Sequence, residues 1–197
     1  MVSSSKFALK AQDAGCDAVV AEGFEAGGHN GREETTSFVL IPAVCEKVTI
    51  PVIAAGGIAT GRQMLAAIIL GANGVQIGSR FVASHEASSH INFKNAILNT
   101  AEGDTILSLK KLTPVRLLKN DFYQQVAAAE VMGAGKEELE QLLGRGRAKK
   151  GMFEGNLSEG ELEIGQVSTL LKTIQPAGEI VSEIWQQYNR LVGLCCE

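Results

Sequence analysis

Short runs of nearly unbroken hydrophobicity alternate, over the first eighty residues, with segments whose apolar positions repeat at three and four. Asp17-Ala18-Val19-Val20-Ala21, Pro51-Val52-Ile53-Ala54-Ala55 and Gly74-Val75-Gln76-Ile77 are short and rich in β-branched residues. That pattern predicts strands of a parallel sheet covered on both faces. Residues 5–14 read as a helix with Phe7, Ala8 and Ala11 inward, ended by Gly15. Residues 36–48 read as a second helix, in which Pro42 either starts the regular part or kinks it. Thr60-Gly61-Arg62-Gln63 has the form of a capping box; it opens a third helix with Met64, Leu65, Ile68 and Ile69 toward the core and Gly71 as its stop. One helix per crossover between strands implies right-handed βαβ units.

Beyond about residue 86 the pattern changes. Residues 92–99, 121–132 and 136–143 suit helices, the latter two bounded by Gly133, Gly135 and Gly144, and residues 105–109 suit a strand or extended piece. A last helix starts near Pro176, repeats Ile180, Val181, Ile184, Trp185, Tyr188, Leu191 and Val192 at three and four, and is expected to end at Gly193. No hydrophilic linker separates two domains. The expected organisation is a partial (β/α) barrel over residues 1–90, with residues 91–197 as a mainly helical cap of the same domain. The fold class is therefore α/β, the C-terminal part of a (β/α)8 TIM barrel with a helical extension. A complete barrel of that kind takes about 250 residues, more than the 197 present, and three parallel strands alone leave an edge unpaired.

Composition narrows the functional classes. A net charge of −4 offers no positive field for nucleic acid. The longest apolar stretch, near residues 64–70, is too short for a membrane span, and the N-terminus lacks the apolar core of a signal peptide, so a cytoplasmic location is expected. Cys16, Cys45, Cys195 and Cys196 have no metal-binding spacing and read as reduced thiols.

Glycine makes up 22 of the 197 residues, about 11% against a usual ~7%. The excess falls directly after the three strands, where a barrel of this class builds its active site. Gly56-Gly57 precedes the capped helix and Gly78-Ser79-Arg80 follows the next strand, so two neighbouring turns present backbone N–H groups suited to a phosphate. Neither a nucleotide P-loop nor a dinucleotide fingerprint occurs. After the first strand comes Glu22-Gly23-Phe24-Glu25-Ala26-Gly27-Gly28-His29-Asn30-Gly31, in which His29, flanked by glycines, is either a candidate proton acceptor or a solvent-exposed loop residue. Glu22 is expected to close the strand by accepting backbone N–H groups, with Glu25 exposed. His85 and His90 read as surface or helix-end residues, and no histidine spacing supports a metal. Arg145, Arg147, Lys149 and Lys150 form a basic run, read as a solvated face or a lid near an anion.

Taken together, Ala14-Gly15-Cys16-Asp17-Ala18-Val19-Val20-Ala21-Glu22-Gly23, the Ala26-Gly27-Gly28-His29-Asn30-Gly31 segment, Pro51 to Ile58 and Gly74 to Phe81 resemble the nitronate monooxygenase (2-nitropropane dioxygenase) family. They are nearly as similar to the flavin-dependent enoyl-[acyl-carrier-protein] reductases. The likeness extends to residues 155–166, a late glycine-rich loop ending in Gly-Gln. It implies a cytoplasmic FMN-dependent flavoprotein oxidoreductase of TIM-barrel fold, a monooxygenase oxidising nitronates or nitroalkanes with O2. His29 is then the catalytic base, Gly56, Gly57, Gly78 and Ser79 hold the FMN phosphate, and Gly27 and Gly28 lie close to the flavin. The alternatives are an enoyl reductase using NAD(P)H and a truncated, non-catalytic half-barrel. Charge, hydropathy and residue spacing give no expectation of a metal, nucleic acid or membrane partner; a homo-oligomer or a missing N-terminal barrel half would complete the site.

Overall fold

The computed structural model describes residues 1–195. Nothing about Cys196 falls within them. The elements in order are α1 (Ser5–Asp13), β1 (Val19–Glu22), β2 (Gly28–His29), α2 (Ser37–Cys45), β3 (Val52–Ala55), α3 (Gly61–Ile69), β4 (Gly74–Gln76) and α4 (Ser79–Val82). They continue with α5 (Ile91–Leu98), β5 (Thr105–Ser108), β6 (Val115–Leu118), α6 (Asp121–Val131), α7 (Lys136–Leu143) and α8 (Ala177–Cys195). Two short turns interrupt the last stretch, a π-turn at Lys149–Phe153 and a 3-10 turn at Gln166–Leu170.

The three expected parallel strands are present and adjacent. β3 lies between β1 and β4, with Ala21 opposite Ala54 and Ala54 opposite Val75. Val2 forms a single parallel bridge with Ala21 on the outer edge of β1. Asn73 fixes the register of the other pair: its side-chain oxygen accepts the Val52 N–H at 2.9 Å and its own N–H donates to the Val52 carbonyl at 2.7 Å.

Local signals explain the helix ends. Ser4 caps α1, and Gly15, at φ +88°, closes it with N–H bonds running back to Gln12 and from Cys16 to Ala11. The Thr60 hydroxyl accepts the Gln63 N–H at 3.2 Å, while the Gln63 side chain accepts the Ala59 N–H at 2.9 Å, one residue earlier than in a standard capping box. Pro42 sits inside α2, neither starting nor ending it. α8 runs through Gly193 to Cys195, so that glycine is not the stop expected of it. His90 caps α5, its ring accepting the Asn92 N–H at 3.1 Å.

Several apolar residues expected inward face out: Phe7 is 48% exposed, Ile69 71% and Trp185 53%. Ala8, Ala67, Ile180 and Ile184 hold the buried positions of those helices. The larger departure lies after residue 100. β6 pairs antiparallel with β5 on one edge and with β2 on the other, making a second sheet that joins Gly28 and His29 to residues 105–118. The extended piece expected at residues 105–109 is β5, whereas β6 was hidden in the sequence because Arg116 breaks its apolar pattern. Arg116 is only 2% exposed, and its guanidinium donates to the Phe24 carbonyl at 3.1 Å and stacks 4.4 Å from the Phe24 ring.

Helix α8 crosses α3 at Gly61, where a Cβ would stand 2.4 Å from the Ile184 carbonyl oxygen and 2.4 Å from the Tyr188 nitrogen. Gly61→Ala is expected to lower the urea midpoint by the equivalent of about 1–3 kcal/mol, as overpacking does. Gly178→Ala, in the first turn of the same helix with open space around it, is expected to raise the midpoint through helix propensity by up to about 1 kcal/mol. Opposite signs in the two unfolding curves check the α3–α8 contact.

Candidate functional site

The C-terminal ends of β1, β3 and β4 open into a cavity of about 260 Å³. Gly27, Gly56, Gly57, Gly78 and Ser79 line it together with Glu22, Glu25 and Glu163. Gly56 and Gly57 carry φ of +88° and +69°, conformations that only glycine adopts without strain. A Cβ at Gly56 would lie 2.7 Å from the Gly23 carbonyl oxygen, so the loops after β1 and β3 touch backbone to backbone. Beside Gly78 there is open space where a side chain would stand. The N–H groups of Gly56, Gly57 and Gly78, which lie outside every helix and strand, have no acceptor among the described residues.

Residues 163–166 strap this arrangement from above. The Gly165 N–H donates to Ser79 Oγ at 3.0 Å and the Gln166 N–H to the Glu25 carbonyl at 2.9 Å. A Cβ on Gly27 would come within 2.4 Å of the Ile164 carbonyl carbon, so the strap and the β1 loop can approach only as glycine backbone.

The two early carboxylates exchange the roles expected of them. Glu25 accepts the Ser37 N–H at 3.0 Å and lies 3.0 Å from Ser37 Oγ. It supplies the start of α2 with the acceptor that the Thr36 side chain does not. The Ser37 hydroxyl is also 2.9 Å from the Gly56 carbonyl oxygen, so its single proton goes either to Glu25 or to the glycine turn. Glu22 instead faces the cavity, where burial raises its carboxyl above the ordinary range.

His29 and Gly28 are placed differently from the other predicted site residues. They form β2 rather than a free loop, and His29, exposed, lines an adjoining cavity of about 270 Å³ with Arg147, Glu161 and Glu163. Glu163 belongs to both cavities. The basic run is not a uniformly solvated face: Arg147 donates to the carbonyls of Leu142, Leu143 and Glu159 and lies 4.7 Å from the Phe122 ring. Cys16 and Cys45 are free thiols. No cluster of metal ligands occurs among the described residues, and no described helix is long and apolar enough to cross a membrane.

Sequence reasoning missed the acidic pair. Glu161-Leu162-Glu163-Ile164 alternates strictly, with Leu162 and Ile164 in the core around Phe93 and both carboxylates on the other side. That period of two was a readable signal. Burial first, and Glu163 second, push the Glu161 carboxyl up to about 7 against the opposing charge of Arg147. Burial also raises Glu163, opposed by His29.

A raised carboxyl means that folded Glu161 keeps a proton which the unfolded chain loses, so stability falls as pH climbs from about 4.5 to about 7. Glu161→Gln should match the parent in urea midpoint near pH ~5. Near pH ~8 it should exceed the parent by an amount on the order of 1–3 kcal/mol. Equal differences at both pH values would remove Glu161 as the source of the slope.

Comparison with known proteins places this geometry. The sequence profile of the nitronate monooxygenase family matches residues 1–187. A probable nitronate monooxygenase of Staphylococcus aureus (strain MSSA476) is 35% identical across 94% of the chain, which spans 54% of that relative. The solved structure of FabK from Thermotoga maritima superposes with a TM-score of 0.92 at 39% identity, over 98% of this chain and 61% of that one. The nitroalkane oxidase of Streptomyces ansochromogenes gives 0.81 at 28% identity, over 98% of this chain and 58% of that one. The three parallel strands and their helices are thus part of the TIM barrel shared by these enzymes, and the chain belongs to the nitronate monooxygenase family.

Proposed function

We propose that the chain carries the phosphate grip and the proton acceptor of an FMN-dependent oxidoreductase of nitronate monooxygenase type, acting on nitroalkanes or nitronates with O2. The observation that carries this reading is the convergence of Gly27, Gly56, Gly57, Gly78 and Ser79 on one cavity, joined through Glu163 to the cavity of His29. The residues fit the group. Three glycines whose N–H groups have no acceptor among the described residues line the cavity, and helix α3 starts just beyond Gly56 and Gly57 with its positive end. No Lys or Arg lines the cavity among the described residues, so an anion there is met by backbone dipoles.

The bound flavin would supply the redox chemistry. His29 would take the proton from the carbon α to the nitro group, at a position exposed enough for substrate to reach it. Gly28, buried beside it, leaves room for the Glu163 carboxylate, whose Oε2 would lie 2.6 Å from a Cβ there.

A second reading has its own support. The similarity to FabK is at least as close as that to the nitroalkane oxidase, which favours an enoyl-[acyl-carrier-protein] reductase oxidising NAD(P)H. Turnover of a nitroalkane with O2, set against NADH oxidation dependent on an enoyl thioester, separates the two.

His29→Ala in the FMN-loaded chain is expected to lower turnover of neutral nitroalkanes about 100-fold or more while flavin stays bound. Undiminished turnover would remove His29 as the base. Gly57→Val forces a β-branched residue to φ +69° and against Glu25, whose Cβ would be 3.3 Å from the new atom. The purified variant should lose its flavin absorbance on desalting. A fully yellow Gly57→Val would place the phosphate elsewhere.

A further inference from the structure

The register of the second sheet sets three residues side by side. Along the edge of β6 not used by β5, His29 lies opposite Val115, Gly28 opposite Arg116 and Glu163 opposite Leu117. The Leu118 N–H donates to the Leu162 carbonyl at 2.9 Å and holds the strap in that register. Positions two apart on a strand project to the same face about 7 Å apart. His29 and Glu163 therefore stand on one face of the sheet, neighbours in space although 134 positions apart in sequence.

Gly28 between them has φ +77°, and a Cβ there would come within 2.6 Å of Glu163 Oε2. The absence of that side chain leaves the Glu163 carboxylate room to swing across β2; in this structure it makes no hydrogen bond or ion pair with His29. The nearby cation is engaged elsewhere: Arg147 directs its N–H groups to Leu142, Leu143 and Glu159. The other ionisable groups facing the pair are Glu161 in the same cavity and Glu22 and Glu25 across the adjoining one. All three are acids, and Arg116, opposite Gly28, directs its guanidinium to the Phe24 carbonyl and the Thr105 hydroxyl, so His29 is the partner of opposite tendency for Glu163 in their shared cavity.

We infer that Glu163 is the positioning residue for His29: by a side-chain rotation toward the ring its carboxylate selects the imidazole tautomer and turns the proton-accepting nitrogen toward the shared cavity. An imidazole beside a carboxylate directs one N–H to it and leaves the other nitrogen as the acceptor. This rests on the reading of His29 as the base, but the placement itself depends on the sheet register alone. Glu163 also lines the flavin cavity, so the same carboxylate sets the orientation of the base relative to the cofactor space.

The test is nitrogen-detected NMR of the imidazoles in the full 197-residue chain. It has three histidines, and the His29 signals are those lost in His29→Asn. Glu163→Gln should change the ratio of the two His29 tautomers about tenfold, the scale of one charge-assisted hydrogen bond, and leave His85 and His90 unmoved. Glu163→Asp should restore part of the ratio. The His90 signals, from a ring packed against Gly155, report that each variant is folded. In the FMN-loaded protein Glu163→Gln should lower kcat with little change in KM. An unchanged tautomer ratio in folded Glu163→Gln overturns the inference. If the ratio moves while His29→Ala still turns over normally, Glu163 positions His29 but the functional reading fails. If His29→Ala is inactive and the ratio does not move, only the positioning role fails.

Discussion

Backbone lies against backbone at the top of the parallel sheet, and the rest of the site depends on that approach. The loop after β1 meets the loop after β3 at Gly23 and Gly56, and it meets the late strap at Gly27 and Gly165. At these positions a methyl group would stand 2.4–2.9 Å from a backbone atom, closer than carbon can come. Glycine there is a condition of assembly. It brings Gly56, Gly57 and Gly78, whose N–H groups have no acceptor among the described residues, to line one cavity, and it lets residues 163–166 close over them through the Ser79 hydroxyl and the Glu25 carbonyl.

Charge is arranged around this glycine frame in an uncommon way. The buried cations stand behind the site and not in it. Arg80 donates to the Ala59 carbonyl at 2.7 Å and pairs with Glu183, tying the β3 loop to α8. Arg116 holds the Phe24 carbonyl, and Lys94 holds the carbonyls of Ser84 and Ala87. Each brace fixes a loop by a charge-assisted bond to backbone, the stronger kind of hydrogen bond. Burial makes three of the lining carboxylates, Glu22, Glu161 and Glu163, reluctant to ionise, which lessens their repulsion of an anion in the same space.

Much of this was legible in the sequence because parallel strands announce themselves. Val19-Val20-Ala21 and Val52-Ile53-Ala54-Ala55 are continuous apolar runs followed by glycine, and each became a strand with its glycines above it. The second sheet was not legible for equally physical reasons. β2 is two residues long and consists of Gly28 and His29; β6 contains a buried arginine whose burial depends on a carbonyl and an aromatic ring distant in sequence. Exposed Phe7, Ile69 and Trp185 misled the inward assignments, since periodicity shows an apolar face but not what covers it. The Glu22 and Glu25 exchange follows from tertiary structure too: only the fold shows that the Ser37 N–H lies within reach of Glu25.

The central claim is that the glycine turns at Gly56, Gly57 and Gly78 form a grip for the phosphate of a flavin. Its most direct test is the affinity of the chain for FMN against riboflavin, which differ only in that phosphate, followed by quenching of flavin fluorescence. The account predicts that FMN binds about tenfold or more tightly, the contribution of at least one charge-assisted hydrogen bond from backbone. Equal affinity for the two flavins, or binding of neither, would contradict it.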